Sequence, residues 1–255
     1  MKRDLYFSKP HINAAGSLGF APDPRNGIAL DARAFGAFIT NPISLRPRLP
    51  TAQPALIHFP GGFLLHSGLP NPGFRNVLKK YSAKWNRSDL PIIVNLMADR
   101  PEETQQMVRG LENIENVMAV QLGFAPLLSD DIIILNLEMC LGEIPMIFSL
   151  PQEQVLSLGP RLIQHGADAI SIASPRGALY DQDGKLVTGP LYGQSLFPRS
   201  LDVVHSAAMI GLPIIGAGGV WTNADAESML KAGAMAVETD AQLWAPCDAS
   251  AQHLT

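Results

Sequence analysis

The residue pattern with the clearest chemical meaning is a glycine run. Gly216-Ala217-Gly218-Gly219-Val220 follows the apolar pair Ile214-Ile215 and leads through Trp221-Thr222 to Asn223. Glycines after a buried strand let the backbone approach a ligand closely. Their N–H groups and the N-terminus of the next helix then form an anion site. A tight turn that requires glycine explains the same residues without a ligand. In a second cluster, residues 60–74, glycines and prolines flank Phe63-Leu64-Leu65-His66-Ser67. His66 is an acid or base near neutral pH and Ser67 is a polar neighbour; a packed or solvated histidine is the alternative. In a third, Asn13-Ala14-Ala15-Gly16-Ser17-Leu18-Gly19-Phe20, small residues admit a flat ligand or simply make a turn.

Familiar catalytic sets are missing. The chain has no GxSxG, no HExxH, no Walker lysine and no paired-cysteine redox motif. The histidines have no metal-ligand spacing, so no metal is expected. Asp130-Asp131 after Ser129 fits the first turn of a helix. Asp181-Gln182-Asp183-Gly184-Lys185 lacks the closing acid of a calcium loop and reads as a hairpin turn.

The elements that must position these residues alternate. Apolar runs at 34–40, 63–67, 91–96, 118–124, 144–150, 169–174, 212–216 and 235–239 have the length and continuity of strands buried on both faces. Helical patterns at 101–112, 152–165, 200–210 and 223–232 lie between them, the last with Asn223 as its expected N-cap. Residues 46–60 read as an irregular surface excursion. Eight strands in a chain of 255 residues favour an α/β fold, one (β/α)8 TIM barrel spanning 1–255 as a single domain. With 47% hydrophobic residues the chain can bury a large core, and a net charge of −4 offers no basic field for nucleic acid or an anionic membrane. Two distant cysteines and the lack of an apolar leader fit a cytoplasmic protein.

Taken together, the clusters resemble the dihydroorotate dehydrogenases, FMN-containing (β/α)8 barrels. Asn13-Ala14-Ala15-Gly16 resembles the family's Asn-Ala-Ser-Gly. Thr40-Asn41-Pro42 resembles its first main strand, followed by Gly61-Gly62 and Gly68-Leu69-Pro70-Asn71. Gly189-Pro190-Leu191-Tyr192-Gly193, Gly216-Ala217-Gly218-Gly219 and Ala236-Val237-Glu238-Thr239-Asp240 follow in the family's order. The resemblance runs from about Pro10 to Trp244, with a shortened middle. It implies an FMN-dependent oxidoreductase of CH–CH groups, a small-molecule substrate and a homodimer. It also implies FMN contacts from Ala14, Ala15, Gly16, Asn41, Asn95, Ser149, Ser174, Gly193, Gly218, Gly219, Asp240 and Ala241.

Several functional residues depart from that pattern. Asn41 and Ser149 stand where the family carries flavin-edge lysines, and Ser174-Pro175 where it carries Asn-Thr. Gly123-Phe124-Ala125-Pro126-Leu127 replaces the loop with the catalytic base and substrate asparagines, and Leu65 replaces a further asparagine. Oxidation of dihydroorotate requires a base, so activity on it is not expected. Leu65, Phe124 and Leu127 suggest a less polar pocket, in which His66 and Ser67, at the end of strand two, are the polar groups. Asp240-Ala241 replaces a Gly-Thr phosphate turn, and a carboxylate about 4 Å from a phosphate costs on the order of 4 kcal/mol. Two other readings stand: a non-catalytic barrel that binds a ligand or partner protein, and a non-flavin enzyme acting on a phosphorylated metabolite.

Overall fold

The computed structural model describes residues 3–22, 34–126 and 128–240. Ala241, Trp244, Cys247 and Leu127 lie outside the described residues. Eight strands run parallel: β1 (His11–Asn13), β2 (Phe38–Ile39), β5 (Ile92–Met97), β6 (Val117–Gly123), β7 (Met146–Leu150), β8 (Ala169–Ile172), β11 (Ile214–Gly216) and β12 (Ala236–Thr239). Their order is β1-β12-β11-β8-β7-β6-β5-β2, and a bridge from Ile12 to Ala37 joins the two ends into a (β/α)8 barrel.

Alternation sorts the strand side chains into two cores. Ile12, Ala37, Ile39, Ile93, Ala119, Ile147, Ala169, Ile215 and Ala236 fill the barrel interior and are fully buried. Their strand neighbours, among them Phe38, Val94, Val120, Phe148, Ile170 and Val237, face the helices. Both faces of each strand are therefore apolar, which is why the strands read as continuous apolar runs.

The helices are α1 (Phe74–Trp85), α2 (Pro101–Leu111), α3 (Asp130–Cys140), α4 (Gln152–Gln164), α5 (Phe197–Met209) and α6 (Asn223–Lys231). Proline and acids open α2, Asp130-Asp131 open α3, and Gly166 at φ +105° follows α4. Two boundaries differ from expectation. α5 begins at Phe197, because Pro198 sits in the first turn and does not precede it. The N-cap of α6 is Thr222, not Asn223: Thr222 Oγ1 accepts from Asp225 N–H, and Asp225 Oδ2 accepts from Thr222 N–H.

The strand count needs a larger correction. Residues 63–67 are not a barrel strand. β4 (Gly62–His66) belongs to an antiparallel sheet of order β3-β4-β10-β9 with β3 (Ala55–Phe59), β9 (Arg176–Tyr180) and β10 (Leu186–Tyr192). β3 lies inside the stretch expected to be irregular. The eighth barrel strand is β1, which contains the Asn13 expected in a loop. Both hairpins of the sheet follow the C-terminal ends of barrel strands, β2 and β8, so the sheet stands at the C-terminal mouth. The Asp181–Lys185 segment is its β9–β10 turn, with Asp181 Oδ1 accepting from the N–H groups of Asp183 and Lys185.

Barrel closure depends on Asn13. Among the described residues this seam has the one bridge and a hydrogen bond from Gly36 N–H to His11 C=O, and the Asn13 carboxamide supplies the rest. Its Oδ1 accepts from Ile39 N–H at 2.9 Å, and its Nδ2 donates to Ile39 C=O at 2.7 Å. All of these groups are buried. Asn13→Ala leaves both Ile39 groups unpaired, and a loss of about 2–4 kcal/mol is expected. Urea denaturation checks it; an unchanged midpoint shows that the seam closes without this side chain.

Candidate functional site

Above the apolar floor the barrel interior becomes polar. Two residues further along each strand, on the same face by alternation, stand Asn41, Asn95, Gln121, Ser149, Ser171 and Glu238, with Ala14 and Ala217 completing the circuit. Four of them are joined by hydrogen bonds. Asn95 Nδ2 donates to Gln121 Oε1 at 2.8 Å, and Gln121 Nε2 donates to Ser171 Oγ at 3.0 Å and to Glu238 Oε1 at 2.7 Å. All four side chains are buried. A polar group in such a place costs stability unless it is bonded, and this network bonds them to one another.

The carboxyl of Glu238 dominates the electrostatics. Burial raises its pKa from 4.5 to about 8; the Gln121 hydrogen bond opposes that rise, and the nearby Asp240 carboxyl adds to it. Tyr192, at the end of β10, reaches the same region. Its phenol is raised to about 12 by burial and then by Asp240, while a hydrogen bond with Ser174 and the charge of Arg176 pull the other way. The mouth therefore joins a polar barrel interior to an acid-rich rim capped by a tyrosine from the antiparallel sheet.

The residues expected at the site lie at or beyond the C-terminal ends of barrel strands, with two qualifications. Ala14 follows β1 and its N–H donates to Thr239 C=O, with Ala15 and Gly16 in the turn beyond. Asn95 and Ser149 lie within β5 and β7, while Ser174, Gly218-Gly219 and Asp240 follow β8, β11 and β12. Asn41 follows β2, but its Oδ1 is engaged by Gly19 N–H at 2.9 Å. Gly193 is needed for backbone crossing: a Cβ there would stand 2.3 Å from Gly61 C=O. In the glycine run, a Cβ on Gly219 would stand 2.4 Å from Phe197 N, so this loop is packed against the start of α5. Among the described residues no hydrogen bond takes up the N–H groups of Gly218, Gly219 and Val220.

His66 and Ser67 do not end barrel strand two. His66 pairs with Ala55 in the antiparallel sheet, and Ser67 Oγ accepts from Leu69 N–H. The expected apolar pocket is also not assembled. Leu65 pairs with Leu56 in that sheet, and Phe124 stacks on Phe148 at 5.6 Å, on the helix side of the barrel wall. Cys140, at the end of α3, is buried, which raises its thiol to about 12. No group of metal-ligating side chains occurs among the described residues. Sequence reasoning missed Gln121, Ser171, Glu238 and Tyr192 as site residues. The signal that could have found the first three was a lone polar residue two positions beyond an interior isoleucine or alanine.

An eight-stranded parallel barrel with its polar interior at the C-terminal mouth defines the class. Comparison with known proteins refines it. Residues 3–124 match the dihydroorotate dehydrogenase family. The catalytic subunit of dihydroorotate dehydrogenase B (NAD(+)) from Pelobacter propionicus is 27% identical over 92% of this chain and 83% of its own length. The protein of the same name from Geotalea uraniireducens is 26% identical over 90% and 81%. The structure of the Eimeria tenella dihydroorotate dehydrogenase in complex with ferulenol superposes with a TM-score of 0.74, at 18% identity, over 94% of this chain and 78% of that one. Over these stretches the chain is similar to the dihydroorotate dehydrogenases, and it shares their barrel fold. None of its helices is long and apolar enough to cross a membrane among the described residues.

The buried carboxyl sets a pH dependence. A carboxyl whose folded pKa lies above its unfolded value binds more protons in the folded state, so stability falls as pH rises from 4.5 towards about 8. Glu238→Gln removes this term. The variant is expected to gain melting temperature over the wild type progressively across that window and to match it below. A constant difference at every pH, measured by thermal denaturation, refutes the assignment.

Proposed function

We propose that the barrel mouth binds FMN and that the protein is an oxidoreductase of CH–CH groups whose substrate is not dihydroorotate. The observation that carries this reading is a polar barrel interior opening beside backbone donors, Gly218 to Val220, that have no partner among the described residues. The residues present fit the group. The three N–H groups would hold its phosphate, and the ring Asn95–Gln121–Ser171–Glu238, with Ser149 beside Ser171 in register, would meet its flavin. When bound, FMN supplies hydride acceptance and donation. The protein's own part is to bind and orient: the floor excludes water from below, and the antiparallel sheet with Tyr192 covers one side of the mouth.

Dihydroorotate suits this mouth poorly. Its carboxylate would enter a mouth that carries Asp240, and the polar ring contains no lysine or arginine. The Gly123-Phe124-Ala125-Pro126 segment offers no thiol or hydroxyl as base. The Asp240 carboxyl at the phosphate end also favours a second reading, a barrel that binds a ligand or partner without redox chemistry.

Purified protein is expected to carry flavin, released on denaturation and counted against protein. Asp240→Asn is expected to increase the retained fraction, because it removes a charge from the phosphate end. Adding dihydroorotate is expected to leave the flavin absorbance unbleached. Protein that is colourless as wild type and as Asp240→Asn, and that takes up no FMN, supports the second reading; a thermal shift with sugar phosphates alone then points to a phosphorylated metabolite. Bleaching by dihydroorotate overturns the substrate assignment.

A further inference from the structure

We propose that Glu238 stands in the barrel as a neutral carboxylic acid and donates its proton, in a hydrogen bond, to a carbonyl-bearing edge of the ring that binds there. The ring it contacts rests on the flavin reading above; the state of the carboxyl does not.

As placed in the structure, Gln121 Oε1 accepts from Asn95, and the Gln121 amide presents its nitrogen to Ser171 and Glu238. Both amide hydrogens are thereby used, and Glu238 Oε1 is an acceptor. Glu238 Oε2 makes no hydrogen bond among the described residues, although the residue keeps 5% of its surface open. As an anion, Glu238 would have a single amide donor above an apolar floor, with Asp240 two residues on along the same strand face. As an acid, it has one oxygen satisfied and one proton to give.

The surrounding charges agree. β5, β6, β7 and β8 contribute Asn95, Gln121, Ser149 and Ser171 to the ring, all neutral. Among the described residues, the charge that acts on Glu238 is Asp240 on the same chain segment; Asp240 and Arg176 from β9 act on Tyr192 from β10. No lysine or arginine hydrogen-bonds to Glu238 among the described residues. A neutral donor favours a neutral ring carbonyl and gives an anionic ring form no countercharge. This makes Glu238 a specificity-determining residue for the charge of the bound ring.

Two measurements test it on the full chain. The infrared carbonyl band of a protonated carboxyl should be present at pH 7, fade as pH rises past about 8, and be missing from Glu238→Gln. Asp240→Asn, which removes the neighbouring negative charge that helps to raise the Glu238 pKa, should shift the fading to lower pH, and it serves if Glu238→Gln fails to fold. Absence of the band in the wild type, or its persistence in Glu238→Gln, overturns the proposal and leaves the flavin reading intact. Fluorescence titration with riboflavin, which carries no titrating phosphate, and with FMN reads the second half. Wild-type affinity for both should weaken by about tenfold between pH 7 and 9, as the donor becomes a repelling anion. Glu238→Gln, which keeps a donor, should bind with little change across that range. Equal pH independence in both proteins overturns the contact with the ring. No binding of either flavin, with the band behaving as described, overturns the contact and the flavin reading together while the neutral acid stands.

Discussion

Closure of the barrel at the β1–β2 seam is the constraint on which the other features depend. Seven of the eight strand junctions are hydrogen-bonded ladders between named strands, but the eighth has, among the described residues, one bridge, the Gly36 N–H to His11 C=O bond and the carboxamide of Asn13. An amide side chain carries a donor and an acceptor at the spacing of a peptide group. Asn13 can therefore bond both Ile39 backbone groups as a neighbouring strand would. If the seam opened, Ile12 and Ile39 would lose their places in the interior, and the floor beneath the polar ring would no longer be dry. The geometry of the mouth is thus set partly by a side chain that does not face it.

A closed, dry floor makes the ring above it energetically demanding. Each ring side chain has left water and must find its partners within the barrel. Gln121 meets this demand by bonding to residues from three other strands, β5, β8 and β12. Among the described residues no cation hydrogen-bonds to the Glu238 carboxyl, and burial favours its neutral form. The elements, the network and the raised carboxyl pKa follow in sequence from one arrangement of interior positions.

Much of this fold was legible in the sequence, and particular residues show why the rest was not. The apolar runs that became β5, β6, β7, β8, β11 and β12 are long enough to announce themselves. His11-Ile12-Asn13 is too short and too polar to do so, and the pairing of β1 with β12 is what makes it a strand. Phe63-Leu64-Leu65 looks like a barrel strand because Leu64 is fully buried, yet its cover comes from the antiparallel sheet. The site was legible as a place, since the glycine run and the strand ends converge on one mouth. Its chemistry was hidden because Asn95 and Gln121 each sit alone in an apolar run and Glu238 ends one. Gln121 and Glu238 are 117 residues apart, and only the barrel register brings them together. The apparently apolar pocket of Leu65 and Phe124 failed for the complementary reason: both face structure outside the barrel interior.

The antiparallel sheet at the mouth also fixes an order of assembly. Its two hairpins come from loops far apart in the chain, and they meet where Leu64 pairs with Leu191, a separation of 127 residues by subtraction. Closing a loop of that length has a large entropic cost unless intervening structure already holds the ends close. The barrel between β5 and β8 provides that structure, so the sheet is favoured only after most of the wall has formed. By this loop-closure argument the enclosure around Tyr192 is expected to form after the wall and to open before it under denaturing stress. Access to the mouth is tied to the late-forming part of the fold, and the buried ring below stays shut in the earlier one.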